Sequence, residues 1–197
     1  MQHPRRWRAA ILVSGGGTNA LNVLNASRSG EIPLTVAAVI AHRHDIAAVE
    51  RCRAAGLTPI IVPLPASDAA SDAVDEALRS VGAELVLLAG YLRHFRVGPW
   101  IGRTLNIHPA LLPQFGGKGM HGAHVHEAVL HSGARESGCT VHLVDDQYDH
   151  GETLVQRRVP VLEGDTPLTL SARVQGEEAA AYREAIRLWA SRQPPSA

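Results

Sequence analysis

The chain has 197 residues, enough to bury a substantial core without a disulfide or a structural metal. Its 19 basic and 19 acidic residues cancel, which gives no indication of a surface for nucleic acid or anionic membranes. No apolar run approaches the roughly 18 residues of a membrane span, and Cys52 and Cys139 lie far apart without a CxxC motif. We predict one cytoplasmic domain over residues 1–197 with two free thiols; the sequence does not choose between a monomer and a homodimer.

Strand-like and helix-like stretches alternate along the chain. Predicted strands cover 9–14, 34–41, 58–64, 84–90, 102–108, 139–144 and 153–162, and predicted helices cover 19–30, 45–56, 67–82, 126–132 and 165–190. Asp165 or Thr166 can cap the last helix, and Pro167 suits its first turn. The alternation with short connections predicts an α/β fold with an open, mostly parallel sheet flanked by helices.

In sheets of this type, ligands bind outside the carboxyl ends of the strands. This rule selects four loops as candidate parts of a site, at residues 14–19, 89–95, 106–113 and 145–151.

The first of these loops, SGGGTN at 14–19, follows a strand and opens a helix. Glycines let backbone N–H groups turn toward a ligand, and a helix N-terminus adds partial positive charge, so the loop indicates a phosphate site. A tight turn without a ligand is the alternative. No acidic residue ends the second strand, as a dinucleotide site needs, and no Gly-Lys-Ser/Thr follows, as in a Walker loop. A small phosphorylated metabolite therefore fits better than NAD or ATP.

Two polar residues, Asn106 and His108, stand at the end of the predicted strand LNIH before Pro109. Side chains alternate across a strand, so both point to one face. An amide can donate to a developing oxyanion, and an imidazole can pass protons at neutral pH. A capped strand end with a satisfied histidine is the structural alternative. The acidic loop DDQYDHG at 145–151 is either a solvated turn or the source of a carboxylate that orients His108.

Three histidines cluster in GMHGAHVHEA, namely His121, His124 and His126. The stretch lacks cysteine and any clearly placed carboxylate, so a glycine-rich loop lining the substrate site is favoured over a metal site. We expect no metal.

Several segments together resemble the glycinamide ribonucleotide formyltransferases, a family of folate-dependent transformylases. They occur in order from about residue 9 to residue 190: ILVSGGGTN, LVLLAGYLRHF, TLNIHPALLP, GMHGAHVHEAVL, SGCTVHLVDDQYDHG, VQRRVPV and ARVQGEEAAAY. The resemblance implies a Rossmann-like sheet, with a phosphate-binding half at about 7–100 and a folate and catalytic half at about 101–192. It also implies formyl transfer from 10-formyltetrahydrofolate, as cosubstrate, to the amine of glycinamide ribonucleotide in purine synthesis.

The resemblance assigns roles to individual residues. Asn106 and His108 would stabilise the tetrahedral oxyanion, and Asp149 would orient His108 and assist proton transfer. The ribonucleotide would contact Gly16, Gly17, Thr18, Asn19, Gln175 and Glu178. The folate would contact Leu92, Arg93, His94, Phe95, Val144, Asp145 and Asp146.

The chain departs from the family pattern at two positions of the implied site. Many members carry a phosphate-binding arginine in the helix after the third strand, whereas this chain has none there before Arg79. His94 stands where an aliphatic residue is common. A 10-formyltetrahydrofolate hydrolase, a formyltransferase for another amine, and an inactive folate-binding scaffold remain alternatives, because fold alone does not decide function.

Overall fold

The computed structural model describes residues 5–63 and 70–194. Its strands are β1 (Trp7–Val13), β2 (Leu34–Ala41), β3 (Ile60–Ile61), β4 (Leu85–Leu88), β5 (Thr104–His108), β6 (Glu136–Leu143) and β7 (Thr153–Pro160). Its α-helices are α1 (Thr18–Arg28), α2 (Ala47–Ala54), α3 (Ala70–Ser80), α4 (Ala123–His131) and α5 (Pro167–Ser191).

The seven strands form one sheet in the order β3-β2-β1-β4-β5-β6-β7. Strands β3, β2, β1, β4 and β5 are parallel, whereas β6 pairs antiparallel with β5 and β7 antiparallel with β6. The mostly parallel α/β fold predicted from the sequence is therefore confirmed.

Side chains that alternate along the strands build a core on each face of the sheet. Ile11 and Val13 of β1 face the larger core, which α1, α2, α4 and α5 cover, while Leu12 faces a smaller core that includes Leu78 of α3. Cys52 and Cys139 are free, as predicted, and both are buried. In the part of the chain that the structure describes, no helix is both long and apolar enough to cross a membrane.

The predicted elements agree with the observed ones apart from shifts at their ends, and the largest difference is β3, which has two residues, Ile60–Ile61, against the predicted 58–64. Thr166 caps α5 by accepting from the N–H of Thr169, and the Thr169 hydroxyl accepts from the N–H of Thr166, which completes a capping box. The predicted strand end at Leu64 and the predicted helix start at 67–69 lie outside the described residues.

The loop after β6 lines a cavity, as predicted, but it does not follow a parallel strand. Because β6 is antiparallel, its carboxyl end lies beside the amino end of β5, where Leu143 pairs with Leu105. The rule for parallel strands therefore does not apply to this loop. The segment runs back along the sheet to reach Asn106 and His108.

The buried hydroxyl of Tyr182 connects α5 to the two strands beside the site. It lies 3.1 Å from the carbonyl oxygens of both Leu88 in β4 and Leu105 in β5. A hydroxyl has one proton, so the two carbonyls share it. The bond fixes α5 against the strand ends that position Asn106.

We expect Tyr182→Phe to lower the free energy of unfolding by about 1 kcal/mol, because it removes one shared buried hydrogen bond and little volume. Urea unfolding followed by circular dichroism measures this. Tyr148→Phe is the matched control, since Tyr148 is 52% exposed. Equal stability of the Tyr182→Phe variant and the unmodified chain would show that the Tyr182 hydroxyl does not stabilise the fold through this hydrogen bond.

Candidate active site

Asn106, His108 and Asp149 meet at the end of β5. Asn106 and His108 lie on the same face of the strand, and Asp149 approaches both from the loop after β6. The Asp149 Oδ2 atom lies 3.5 Å from Nδ1 of His108, and its Oδ1 atom accepts from Nδ2 of Asn106 at 3.4 Å. The backbone N–H of Gly117 donates to Oδ2 at 3.0 Å. The structure thus brings the three predicted catalytic residues together.

His142 is a fourth member of this cluster, and it was not among the residues predicted from the sequence. It stands directly opposite Asn106 in the antiparallel pair of β5 and β6. Its Nδ1–H donates to the carbonyl of Leu143 at 2.9 Å, so the neutral ring carries its lone pair on Nε2. That atom lies 3.1 Å from Nδ2 of Asn106 and accepts from it. His142 therefore fixes the orientation of the Asn106 amide.

The tautomer of His108 follows from its contact with Phe115. The Nε2 atom lies 2.8 Å from the carbonyl oxygen of Phe115, which can only accept. The proton of the neutral ring is therefore on Nε2, and Nδ1, which faces Asp149, is the basic atom. A proton added at Nδ1 would lie between the ring and a carboxylate.

Asp149 and Phe115, whose carbonyl contacts His108, adopt a backbone conformation that residues other than glycine rarely take. Phe115 has φ of 57° and Asp149 has φ of 52°. Gly116 makes room for this arrangement, because a Cβ there would lie 2.6 Å from a methyl group of Leu112 and 3.1 Å from Cβ of Asp149. Strain of this kind is typical of functional sites.

The environment shifts the pKa values of His108 and Asp149 downward. Burial lowers the pKa of His108 below its ordinary value, and the Asp149 carboxylate opposes this shift without cancelling it. Burial alone would raise the pKa of Asp149, but the polar groups around it, including the Gly117 N–H, outweigh burial and lower it. At neutral pH the cluster therefore pairs a neutral imidazole with a carboxylate.

The glycine loop presents backbone N–H groups at the start of α1. Gly17 caps the helix with φ of 77°, a left-handed conformation. Among the described residues, none accepts a hydrogen bond from the N–H groups of residues 16–19. Successive free N–H groups at a helix start form a concavity suited to an anion.

The glycine loop also contacts the last helix. The amide of Asn19 donates to the buried Glu178 carboxylate at 2.8 Å. Burial raises the pKa of Glu178, which the Asn19 bond partly opposes. Glu178 and Gln175 lie on α5 and face the same cavity as the loop. The predicted ribonucleotide contacts from the two ends of the chain are therefore neighbours in space.

A cavity of about 420 Å³ connects the glycine loop with the catalytic cluster. Its far wall comes from the loops after β4 and β6, and it contains all the predicted folate contacts: Leu92, Arg93, His94, Phe95, Val144, Asp145 and Asp146. Leu92 is 54% exposed there, and the rings of His94 and Tyr148 meet edge to face with centroids 6.0 Å apart. The apolar and aromatic side chains of this wall, Leu92, Phe95, Val144 and Tyr148, suit a flat ring system.

The histidine-rich segment lies beside the cavity. His121 and His126 line it, and the rings of His121 and His124 are 5.8 Å apart. Within the described residues, no group of three or more His, Cys, Asp or Glu side chains is arranged to hold a metal ion.

Comparison with known proteins identifies the family. A sequence model described as formyl transferase matches residues 7–186. The chain belongs to the formyl transferase family. It is 40% identical over 190 residues to the chloroplastic phosphoribosylglycinamide formyltransferase of Arabidopsis thaliana, covering 93% of this chain and 65% of that protein. The chain thus spans just under two thirds of the length of this plant relative.

Two bacterial relatives match over most of their length. The phosphoribosylglycinamide formyltransferase of Escherichia coli K12 is 35% identical over 178 residues, covering 87% of this chain and 82% of that protein. The crystal structure of glycinamide ribonucleotide transformylase 1 from Symbiobacterium toebii superimposes with a TM-score of 0.87 at 41% identity, covering 94% of this chain and 88% of that chain. The family resemblance recognised in the sequence is confirmed. The roles of individual residues and the division into two halves stay predictions.

We expect the pKa of His108 to lie below the ordinary histidine value of about 6.5, because its buried ring favours the neutral form. Asp149→Asn should lower it further, since it removes the carboxylate that stabilises the charged ring. An NMR titration of the ring Cε1–H signal measures both values. Asp146→Asn removes a carboxylate from the same loop without this contact and is the control. A higher His108 pKa in Asp149→Asn would contradict the proposed pairing.

Proposed function

We propose that the protein transfers the formyl group of 10-formyltetrahydrofolate to the amine of glycinamide ribonucleotide, a step of purine synthesis. The observation that carries the proposal is the cavity that joins the glycine loop, the cluster of Asn106, His108 and Asp149, and the aromatic wall. It offers one place for a phosphate, one for acyl-transfer chemistry and one for a flat ring system.

The reaction needs a donor for negative charge and a base. The substrate amine attacks the formyl carbon and forms a tetrahedral oxyanion, which collapses as the bond to the folate nitrogen breaks. In our proposal the amide of Asn106 donates to this oxyanion, and His142 holds the amide in place. The contact from Asn106 to Asp149 is long at 3.4 Å, which leaves the second amide hydrogen weakly engaged and available.

His108 moves the proton in this proposal. Its Nδ1 atom takes up the proton lost by the attacking amine, directly or through water, and returns it to the leaving nitrogen of the folate. Asp149, 3.5 Å from Nδ1, stabilises the transient imidazolium ion. Because the pKa of His108 is lowered by burial, the ring starts in the neutral form that can accept a proton.

The two substrates would lie at opposite ends of the cavity. We place the phosphate on the N–H groups of residues 16–19, with Gln175 and Glu178 reaching the ribose portion. We place the folate against residues 92–95 and 144–146. The cytoplasmic location and the choice between monomer and homodimer stay predictions, and the relatives include a chloroplastic protein.

A hydrolase of the same folate is the second candidate. Water would replace the amine, and the catalytic cluster would serve equally well. The free N–H groups of the glycine loop favour the transferase, because water needs no phosphate site. An inactive scaffold would not require Asn106, His108 and Asp149 to meet.

Turnover that depends on glycinamide ribonucleotide tests the proposal. We would mix the protein with 10-formyltetrahydrofolate or its 5,8-dideaza analogue and follow the deformylated product by absorbance. Turnover should require the ribonucleotide, and kcat should fall by about 10²–10³ in Asn106→Ala, which removes an oxyanion donor. His108→Ala should lower kcat by about 10²–10⁴-fold, because it removes the group that carries the proton.

The control variant for this assay is His131→Ala, an exposed change at the end of α4 that should keep the full rate. Equal turnover without the ribonucleotide would assign a hydrolase. No turnover with or without the ribonucleotide would indicate a different acceptor amine or an inactive scaffold.

The glycine loop gives a second test. A Cβ at Gly17 would lie 2.7 Å from Cβ and 2.8 Å from Cα of Ala48, and its φ is 77°. We expect Gly17→Ala to distort the loop and to raise KM for the ribonucleotide by at least about tenfold, a loss of roughly 1.4 kcal/mol of binding. Gly15→Ala is the matched control, because nothing lies within 4 Å of its added methyl group. The same KM in both variants would show that the phosphate binds elsewhere.

A further inference from the structure

The glycine loop rests against α2, and that helix occupies its carbonyl groups. The carbonyl of Gly15 accepts from the N–H of Ala48 in the first turn of α2, at 3.0 Å. The carbonyl of Gly16 accepts from Nη1 of Arg51 one turn later, also at 3.0 Å. Both carbonyls are therefore held toward α2.

This arrangement determines where the N–H groups point. In a trans peptide the N–H lies opposite the C=O of the preceding residue, and the only cis bond in the described residues is Leu112–Pro113. Fixing the carbonyls of Gly15 and Gly16 against α2 therefore turns the N–H groups of Gly16 and Gly17 away from that helix. Both glycines line the cavity.

Arg51 contributes charge as well as a hydrogen bond. It is exposed and forms no ion pair with any described acidic side chain, so a carboxylate does not neutralise its charge locally. A cation on the Gly16 carbonyl polarises the peptide group, which strengthens the Gly17 N–H as a donor to an anion.

Arg79, the first arginine in the helix after the third strand, takes no part in this site. It pairs with Asp75 at 2.9 Å and lies on the exposed side of α3, outside the cavity. Arg79 therefore does not supply a cation to the glycine loop from α3.

We propose that Arg51 is a positioning residue for phosphate binding, which acts from behind the glycine loop by holding the Gly16 carbonyl. The identity of the ligand, the phosphate monoester of a ribonucleotide, depends on the proposed function. The action of Arg51 on the loop does not depend on it. Arg51 touches the loop rather than the ligand, so it should affect ribonucleotide binding and leave the chemical step unchanged.

Steady-state kinetics with both substrates test the proposal in three variants. Arg51→Met keeps the aliphatic stem without donor or charge, and it should raise KM for glycinamide ribonucleotide about tenfold. Its kcat and its KM for the folate should stay within about twofold, as expected for loss of uniform binding. Arg51→Lys keeps a charged donor and should recover most of the affinity.

Arg53→Met is the matched control, because it removes the same charge from the same helix and Arg53 is exposed. It should leave every kinetic constant unchanged. Equal effects of Arg51→Met and Arg53→Met would mean that net charge, not positioning, is responsible, and would overturn the proposal. An unchanged ribonucleotide KM in Arg51→Met, or a matching rise in the folate KM, would overturn it as well.

Binding of inorganic phosphate, measured by ³¹P NMR titration, separates this proposal from the proposed function. If the unmodified chain lacks ribonucleotide-dependent turnover, the proposed function fails, and the phosphate titration alone then tests the role of Arg51. A phosphate Kd about tenfold weaker in Arg51→Met but not in Arg53→Met supports the positioning role. Absence of phosphate binding by the unmodified chain, or equal Kd values in all variants, overturns it.

Discussion

The contacts of the largely buried Asp149 carboxylate are the interactions on which the arrangement of Asn106, His108 and Asp149 depends. The side chain is 12% exposed; it accepts from the Asn106 amide and the Gly117 N–H, and it lies beside Nδ1 of His108 and Nε2 of His142. A buried charge is costly unless donors of this kind satisfy it. The Asn106 amide that solvates the carboxylate is also the donor of the proposed oxyanion contact, and a proton added at Nδ1 of His108 would give the carboxylate a further donor. The strained φ of Asp149 and the missing side chain at Gly116 are consistent with this, because both allow the carboxylate to approach.

The sheet explains why residues far apart in sequence meet. Strands β1, β4 and β5 are adjacent and parallel, so the loops that follow them lie at one edge. The N–H of Ser14 donates to the carbonyl of Gly90 at 3.1 Å, and the Ser14 hydroxyl accepts from the N–H of Leu92 at 2.9 Å, which fixes the glycine loop to the loop after β4. Helix α5 crosses this edge and contributes Tyr182 to the strands and Glu178 to the glycine loop.

Much of this could be predicted from sequence because it depends on local periodicity. Alternation along β5 placed Asn106 and His108 on one face, and glycines marked the turn before α1. The contact between His142 and Asn106 could not be predicted, because it requires the direction and register of β6, which periodicity does not specify. The sequence equally gave no sign of Arg51, since its guanidinium reaches the loop from another helix and an exposed arginine in a last turn has an ordinary explanation in the helix dipole.

In the proposed function, the two ends of the cavity recognise their ligands by different physical means. The catalytic end uses side chains, so each functional group can be located by residue type. The phosphate end uses backbone N–H groups, which every residue has, and only the orientation of the peptide planes makes them a site. Orientation is set by what holds the carbonyls, and here that is α2 through Ala48 and Arg51. In our proposal a cation therefore serves an anion site without facing the anion. The helix after β3 has no arginine before Arg79, and Arg51 of α2 supplies the cation from behind the loop instead.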